Sequence, residues 1–242
     1  MEIRYSLLPY MYTLFYLSHT TGSTVMRALA WEFPNDPSLA AADRQFLLGP
    51  SLMITPVLEP LATTVNGVFP GVANGEVWYD WYTQSAVEAQ AHTNTTIDAP
   101  LGHIPVYIRG GSVLPQQEAL MTTAESRNSS WSLLAALSTE GTASGTLYVD
   151  DGQSITPNAT LIVDFTASQN KLYASARGEF VDTNALANVT VMGVAEAPEK
   201  PTLNGEAVTF AYNTTSQVLK LTGLEKLTGE AGAWGSDWVL EW

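Results

Sequence analysis

Apolar residues recur at threes and fours through the first twenty-odd positions, at Leu7, Leu8, Tyr10, Met11, Leu14, Phe15 and Leu17, and stop short of Gly22. This spacing predicts a buried helix closed by a C′ glycine, which takes a positive φ at little steric cost. Pro9 lies where a residue without an N–H either kinks that helix or fits its first turn. Over residues 24–33 the period falls to two: Val25, Arg27, Leu29, Trp31 and Phe33 alternate with Met26, Ala28, Ala30 and Glu32, the signature of a strand. Asp36 then stands where it would cap a helix beginning at Pro37, carried through Leu39 and Phe46-Leu47-Leu48 to a stop at Gly49. Helix, strand, helix is the grammar of a parallel α/β unit. One such unit leaves unpaired sheet edges, so residues 1–49 read as the tail of a larger barrel.

Beyond Gly49 the pattern is β throughout. Residues 51–58 form a nearly continuous apolar run, 75–82 are aromatic-rich, and 93–98 lead to PLGHIPVYIRGGSVLP at 100–115. There Ile104, Val106 and Ile108 alternate with Pro105, Tyr107 and Arg109, Pro105 points to an edge or a bulge, and Gly110-Gly111 supplies the positive φ of a sharp reversal. From Leu120 a second set of short strands begins, at 145–149, 161–166, 171–177, 188–193, 207–212, 218–222 and 237–242, with Leu161, Val163 and Phe165 forming an apolar face. The chain is therefore expected to be mainly β, with a barrel tail (1–49) followed by two antiparallel β-sandwich domains, a proximal one (50–119) and a distal one (120–242). No internal repeat is evident.

Composition narrows the partners. A chain of 242 residues with 45% hydrophobic and 14% charged residues can bury a sizeable core. A formal net charge of -14, with only ten Lys and Arg, argues against nucleic acid and anionic membrane, both of which are held by cations. The first apolar run is too short to span a membrane, and Met1-Glu2-Ile3-Arg4 is a poor signal-peptide n-region. Cysteine is absent, which removes disulfides and thiolate metal sites. Five asparagines, Asn94, Asn128, Asn158, Asn188 and Asn213, begin N-glycan acceptor triplets, where chance would give roughly two. That excess points to a secreted or lumenal eukaryotic protein; incidental triplets in a Thr-rich β protein are the competing account.

The specific signal is in the wording. RYSLLPYMYTLFYLSH, TVMRALAWEFPND and RQFLLGPSLMITPVL, then Val77-Trp78-Tyr79-Asp80, HIPVYIRGG and Gly145-Thr146-Leu147-Tyr148-Val149-Asp150-Asp151-Gly152 stand in the same order as the end of the (β/α)8 barrel and the following β-domains of glycoside hydrolase family 31, the α-glucosidase family, which this chain resembles. The resemblance covers roughly residues 1–165, and the remainder only by architecture. At Ala28 the family more often has proline. It implies a retaining α-glucosidase whose two catalytic aspartates lie in a tryptophan-any-aspartate-methionine-asparagine-glutamate motif and a histidine-tryptophan-leucine-glycine-aspartate-asparagine motif. Neither occurs in this chain. No catalytic residue is thus carried over, both implied aspartates lie upstream, and the missing N-terminal and barrel portion of the same enzyme is the implied partner.

Residues with chemical potential have to be weighed singly. Asp150-Asp151 is a tempting carboxylate pair, but neighbours on a strand point to opposite faces, and before Gly152 they suit a turn better than the facing pair that glycoside hydrolysis needs. Trp31 and Glu32, at the end of a barrel strand, are candidates for the rim of a substrate pocket; packing of the barrel rim is the alternative. Trp78, Tyr79, Trp81 and Tyr82 offer either a sugar-stacking platform or core packing. Arg109 is expected to pair with a carboxylate. His19, His92 and His103 share no ligand spacing, and neither a metal nor a cofactor is expected.

Three functional classes follow: the C-terminal region of a secreted α-glucosidase that hydrolyses terminal α-linked glucose from malto-oligosaccharides, a non-catalytic carbohydrate-binding module, and a structural or interaction protein derived from such an enzyme. The first 49 residues favour the first class, because an independent module has no use for a single barrel unit. The fold-to-function step rests on the resemblance.

Overall fold

A computed structural model describes residues 1–229 and 231–242. It is mainly β, with 35% strand and 17% helix, and divides into two compact units, Ser23–Gly110 and Met1–Gly22 together with Gly111–Trp242.

In the Ser23–Gly110 unit, five short strands pair antiparallel in the order Met26–Arg27, Phe46–Leu48, Leu52–Ile54, Val106–Arg109, Trp78–Asp80. Leu47, Met53 and Tyr107 stand in register across three of them and pack with Leu29, Leu39, Phe69, Trp78 and Ile97 into one core. Phe69 meets Tyr107 edge-on, centroids 4.8 Å apart, the geometry that ring quadrupoles prefer. A separate ribbon pairs Thr64–Gly67 with Thr95–Asp98.

Three local expectations are corrected here. The strand read over 24–33 is only Met26–Arg27, followed by a single helical turn at Leu29–Glu32. Coiling sends Leu29 wholly inside, leaves Trp31 62% exposed, and returns Glu32 to the Arg27 guanidinium, so burial and an ion pair override the alternation. Asp36 does cap at Ser38 N, 3.0 Å away, with Pro37 first in the turn. That turn is a 3-10 segment ending at Ala41, however, and Phe46–Leu48 is a strand in a hairpin with Leu52–Ile54. A short apolar run fits either element locally, and pairing decides between them. Finally, Val106–Arg109 is an interior strand, not an edge. Pro105 lies just outside its ladder, giving only its C=O to Thr55 N at 3.0 Å, and of the two glycines only Gly111 has a positive φ, 88°.

In the other unit, eleven strands form one continuous sheet running from Glu206–Ala207 to Thr209–Asn213. Pairs are antiparallel except Ala143–Val149 with Ser112–Gln117 and Trp131–Ala136 with Leu186–Met192, which are parallel. The sheet folds onto itself: Leu172 and Leu240 from one end share a single core with Leu219 and Leu221 from the other. Trp234 fills the middle, its ring centroid 5.6 Å from Trp131 and 5.5 Å from Phe165. The strands expected beyond residue 145 are present, with ends shifted by a few residues.

The first helix is found as Glu2–Ser6 followed by Leu8–Thr21, with Pro9 in the first turn of the second segment and Gly22 at φ 75° donating its N–H to Ser18 O. Leu7, Tyr10 and Leu14 are buried, and the helix lies on strands Ala143–Val149 and Ser112–Gln117. Phe15 is 57% exposed, so the helix is buried along one face only.

Candidate functional site

The two rim candidates sit on the same helical turn, Leu29–Glu32, in different settings. Glu32 takes Arg27 Nη1 on Oε1, and Arg109 Nη1 lies 3.8 Å from its Oε2. Arg109 in turn grips Glu76 with Nε and Nη2, the former at 2.9 Å, as a fork-like guanidinium does with a carboxylate, and its Cζ lies 4.6 Å from the centroid of Phe33. The hydrogen bond to Glu76 raises the Arg109 pKa further above its ordinary value. Arg27, Glu32, Arg109 and Glu76 therefore form an alternating chain of four charges, which meets the expectation of a carboxylate partner for Arg109. Within it Glu32 is a paired anion, whereas Trp31 projects from the turn as an exposed indole.

Asp150 and Asp151 do not face one another as a catalytic pair. Asp150, 3% exposed, accepts Tyr12 Oη on both oxygens at 2.9 Å, Tyr148 Oη at 3.0 Å and Gly152 N at 2.7 Å. Burial, first, and the bond to Asp150, second, raise the pKa of Tyr12 and of Tyr148. Asp151 is exposed and closes the next turn by accepting Ser154 Oγ, Gln153 N and Ser154 N. The Ser154 hydroxyl and the two backbone N–H groups bring its pKa down to about 2. Both carboxylates are committed to structural hydrogen bonds, those of Asp151 within its own turn and those of Asp150 reaching the first helix as well.

Two of the four aromatics are withdrawn from any stacking platform, while Trp81 is half-buried. Trp78 and Tyr79 are buried, Trp78 donating Nε1 to Pro70 O at 2.9 Å, and burial pushes the Tyr79 hydroxyl up to about 12. Tyr82 is half-exposed, lies against His103 with centroids 4.0 Å apart and rings tilted by 31°, and donates to Ile104 O. His92 Nδ1 lies 3.4 Å from Asp36 Oδ2, and His19 is exposed. Among the described residues no three His, Asp or Glu side chains gather as metal ligands, and no helix is long and apolar enough to cross a membrane.

The acceptor asparagines lie in different settings. Asn94, Asn128, Asn158 and Asn213 are exposed; Asn128 Nδ2 donates to Ala124 O at 2.9 Å, and Asn213 Oδ1 accepts Thr215 N and Ser216 N. Asn188 is half-buried in strand Leu186–Met192, and its partner Thr190 is buried. Asn94 also lines a groove that sequence reasoning missed, of about 550 Å³. One wall is held by Gln45, which is buried and spans Val68 as a neighbouring strand would, accepting Val68 N at 2.8 Å and donating to Val68 O at 3.2 Å and Thr55 Oγ1 at 2.9 Å. The groove walls come from residues 38–45, 56–68 and 94, too scattered along the chain for any local pattern to reveal.

Comparison with known proteins places this geometry. The glycosyl hydrolase family 31 C-terminal domain matches residues 22–114. The chain is 64% identical over 245 residues to an α-glucosidase of Aspergillus niger, with all of this chain covered and 25% of the relative, and 38% identical over 244 residues to the lysosomal α-glucosidase of Mus musculus, with 90% and 25% covered. It thus spans about a quarter of the length of the relatives it matches. Its fold resembles that of the glucosidase II α subunit with a TM-score of 0.81 at 23% identity, over 99% of this chain and 28% of that one. The family match over residues 22–114 and the collinear identity along the whole chain leave one conclusion: the chain belongs to glycosyl hydrolase family 31 and carries its C-terminal domain.

Proposed function

We propose that this chain is the C-terminal region of a secreted or lumenal retaining α-glucosidase that hydrolyses terminal α-linked glucose from malto-oligosaccharides, and that it supports a catalytic barrel without supplying the catalytic aspartates. The observation that carries this is the 64% identity running the whole length of the chain against a quarter of an α-glucosidase. In this reading residues 1–49 end the barrel, 50–119 and 120–242 form the proximal and distal β-domains, with the strand Ser112–Gln117 at the end of the proximal stretch pairing within the distal sheet, and the rest of the same enzyme is the partner. The exposed apolar side chains Phe15, Met26 and Trp31 lie within 1–49, where that partner would cover them. Glu32, anchored by two guanidiniums, fixes the turn from which Trp31 reaches the rim of the substrate pocket. At least two of the five acceptor asparagines carry N-glycan.

Kinetics test the reading. The pure 242-residue chain is expected to give no turnover of an aryl α-glucoside, whereas the enzyme containing it, with both aspartate motifs present, hydrolyses that substrate and maltose. Turnover above the buffer blank by the chain alone would overturn it.

A further inference from the structure

The groove beside Gln45 has the volume of a small-ligand site, since such sites run from roughly 300 to 1,000 Å³ and this one holds about 550 Å³. Part of its lining is aliphatic, from Pro56, Leu58 and Val65, and part polar, from Arg44, Asn66 and Asn94. Leu58 is 54% exposed, so apolar surface there is left to water. Arg44 and Glu59, both lining residues, form an exposed ion pair at 3.1 Å.

Asn94 is both a lining residue and the first of Asn94-Thr95-Thr96. The ribbon of Thr64–Gly67 and Thr95–Asp98 holds it beside the groove, because Gly67 pairs with Thr95, Asn66 pairs with Thr96, and Thr96 Oγ1 donates to Asn66 Oδ1 at 3.0 Å. None of the other four acceptor asparagines lines this groove.

We infer that the groove is the seat of the protein's own glycan: the first N-acetylglucosamine residues on Asn94 fold back into it instead of projecting into water. A pyranose has an apolar C–H face and, here, an acetamide methyl, which Leu58, Pro56 and Val65 cover. Its hydroxyl and amide groups meet Arg44 donors and the Asn66 amide. The covalent link makes the contact intramolecular, at an effective concentration on the order of millimolar, so a shallow site that would not retain free sugar retains a tethered one. The inference rests on the secretory reading above.

The test is the rate at which a peptide N-glycosidase releases each glycan from the native enzyme made in a fungal secretory host, followed site by site by mass spectrometry. The Asn94 glycan is expected to leave roughly tenfold more slowly than that on Asn213, equivalent to about 1.4 kcal/mol, and at an equal rate once the protein is denatured. Leu58→Asp, at a half-exposed position, is expected to bring the native Asn94 rate up to that of Asn213 and leave Asn213 unchanged. Occupied Asn158 and Asn213 with a bare or rapidly released Asn94, or a Leu58→Asp protein that keeps the protection, overturns the groove assignment alone. Five bare asparagines overturn the secretory reading and the assignment together.

Discussion

The Tyr12 hydroxyl lies 2.9 Å from each carboxylate oxygen of Asp150, joining the N-terminal helix to the end of a strand 138 residues further along the chain. Two residues back along the strand, Thr13 Oγ1 accepts Tyr148 N at 2.9 Å while donating to Pro9 O, and Tyr16 stacks flat on Tyr148 with centroids 3.9 Å apart. Contacts from Tyr12, Thr13 and Tyr16, within little more than one helical turn, thus fix the helix by polar geometry as well as by the burial of Leu7, Tyr10 and Leu14.

Tyr12→Phe removes one of the donors to a buried carboxylate and keeps the ring. Bonds to charged groups contribute roughly 1.5–3 kcal/mol; with Tyr12 about a third exposed, a loss of about 1–2 kcal/mol is expected. Urea denaturation read by tryptophan fluorescence measures it, and an unchanged midpoint would show that the bond contributes nothing net.

Alkaline stability follows from the tyrosines. Burial holds Tyr79 up to about 12 and shifts Tyr12, Tyr107 and Tyr148 upward from 10.0 as well. A raised folded-state pKa gives stability that is complete below the unfolded value and is lost as pH rises through the folded one. Stability should therefore be flat to about pH 9.5 and fall from pH 10 upward. In a spectrophotometric titration near the phenolate band, the buried Tyr79, Tyr107 and Tyr148 should ionise with unfolding, whereas the partly exposed Tyr12 is shifted upward only.

Trp31 and Glu32 should separate function from stability. Trp31→Ala, at an exposed position, is expected to change stability by less than about 0.5 kcal/mol while raising KM for maltose in the full-length enzyme. Glu32→Gln leaves Arg27 without its carboxylate and should cost about 2 kcal/mol, read as a lower Tm. A Trp31→Ala enzyme with an unaltered KM would remove Trp31 from the pocket rim.

Gly145 is required by closeness. A Cβ there would lie 2.1 Å from Val113 O and 3.1 Å from Val113 Cβ, where Ala143–Val149 meets Ser112–Gln117. Gly145→Ala is expected to destabilise by about 3 kcal/mol, measured by thermal or urea unfolding. Full retention of Tm would mean that the two strands separate freely.

Local pattern was sufficient wherever one interaction range dominates. The helix ending at Gly22, the cap at Asp36, the run of distal strands and the turn at Asp150-Asp151 are settled by side-chain spacing, φ preference and short-range hydrogen bonds, all of which are written in neighbouring residues. The same holds for the family, since its wording is collinear over most of the chain, and for the absence of both aspartate motifs.

Tertiary structure decided whatever depends on partners far along the chain. Phe46-Leu47-Leu48 became a strand because Leu52–Ile54 pairs with it, and Leu29–Glu32 coiled because that buries Leu29 and brings Glu32 to Arg27. Val106–Arg109 became an interior strand because Trp78–Asp80, almost thirty residues earlier, closes its outer side. The Tyr12–Asp150 bond and the groove beneath Asn94 arise the same way, from residues that no window of the sequence brings together. Periodicity names which side chains must leave water; only the packed chain determines what each of them meets.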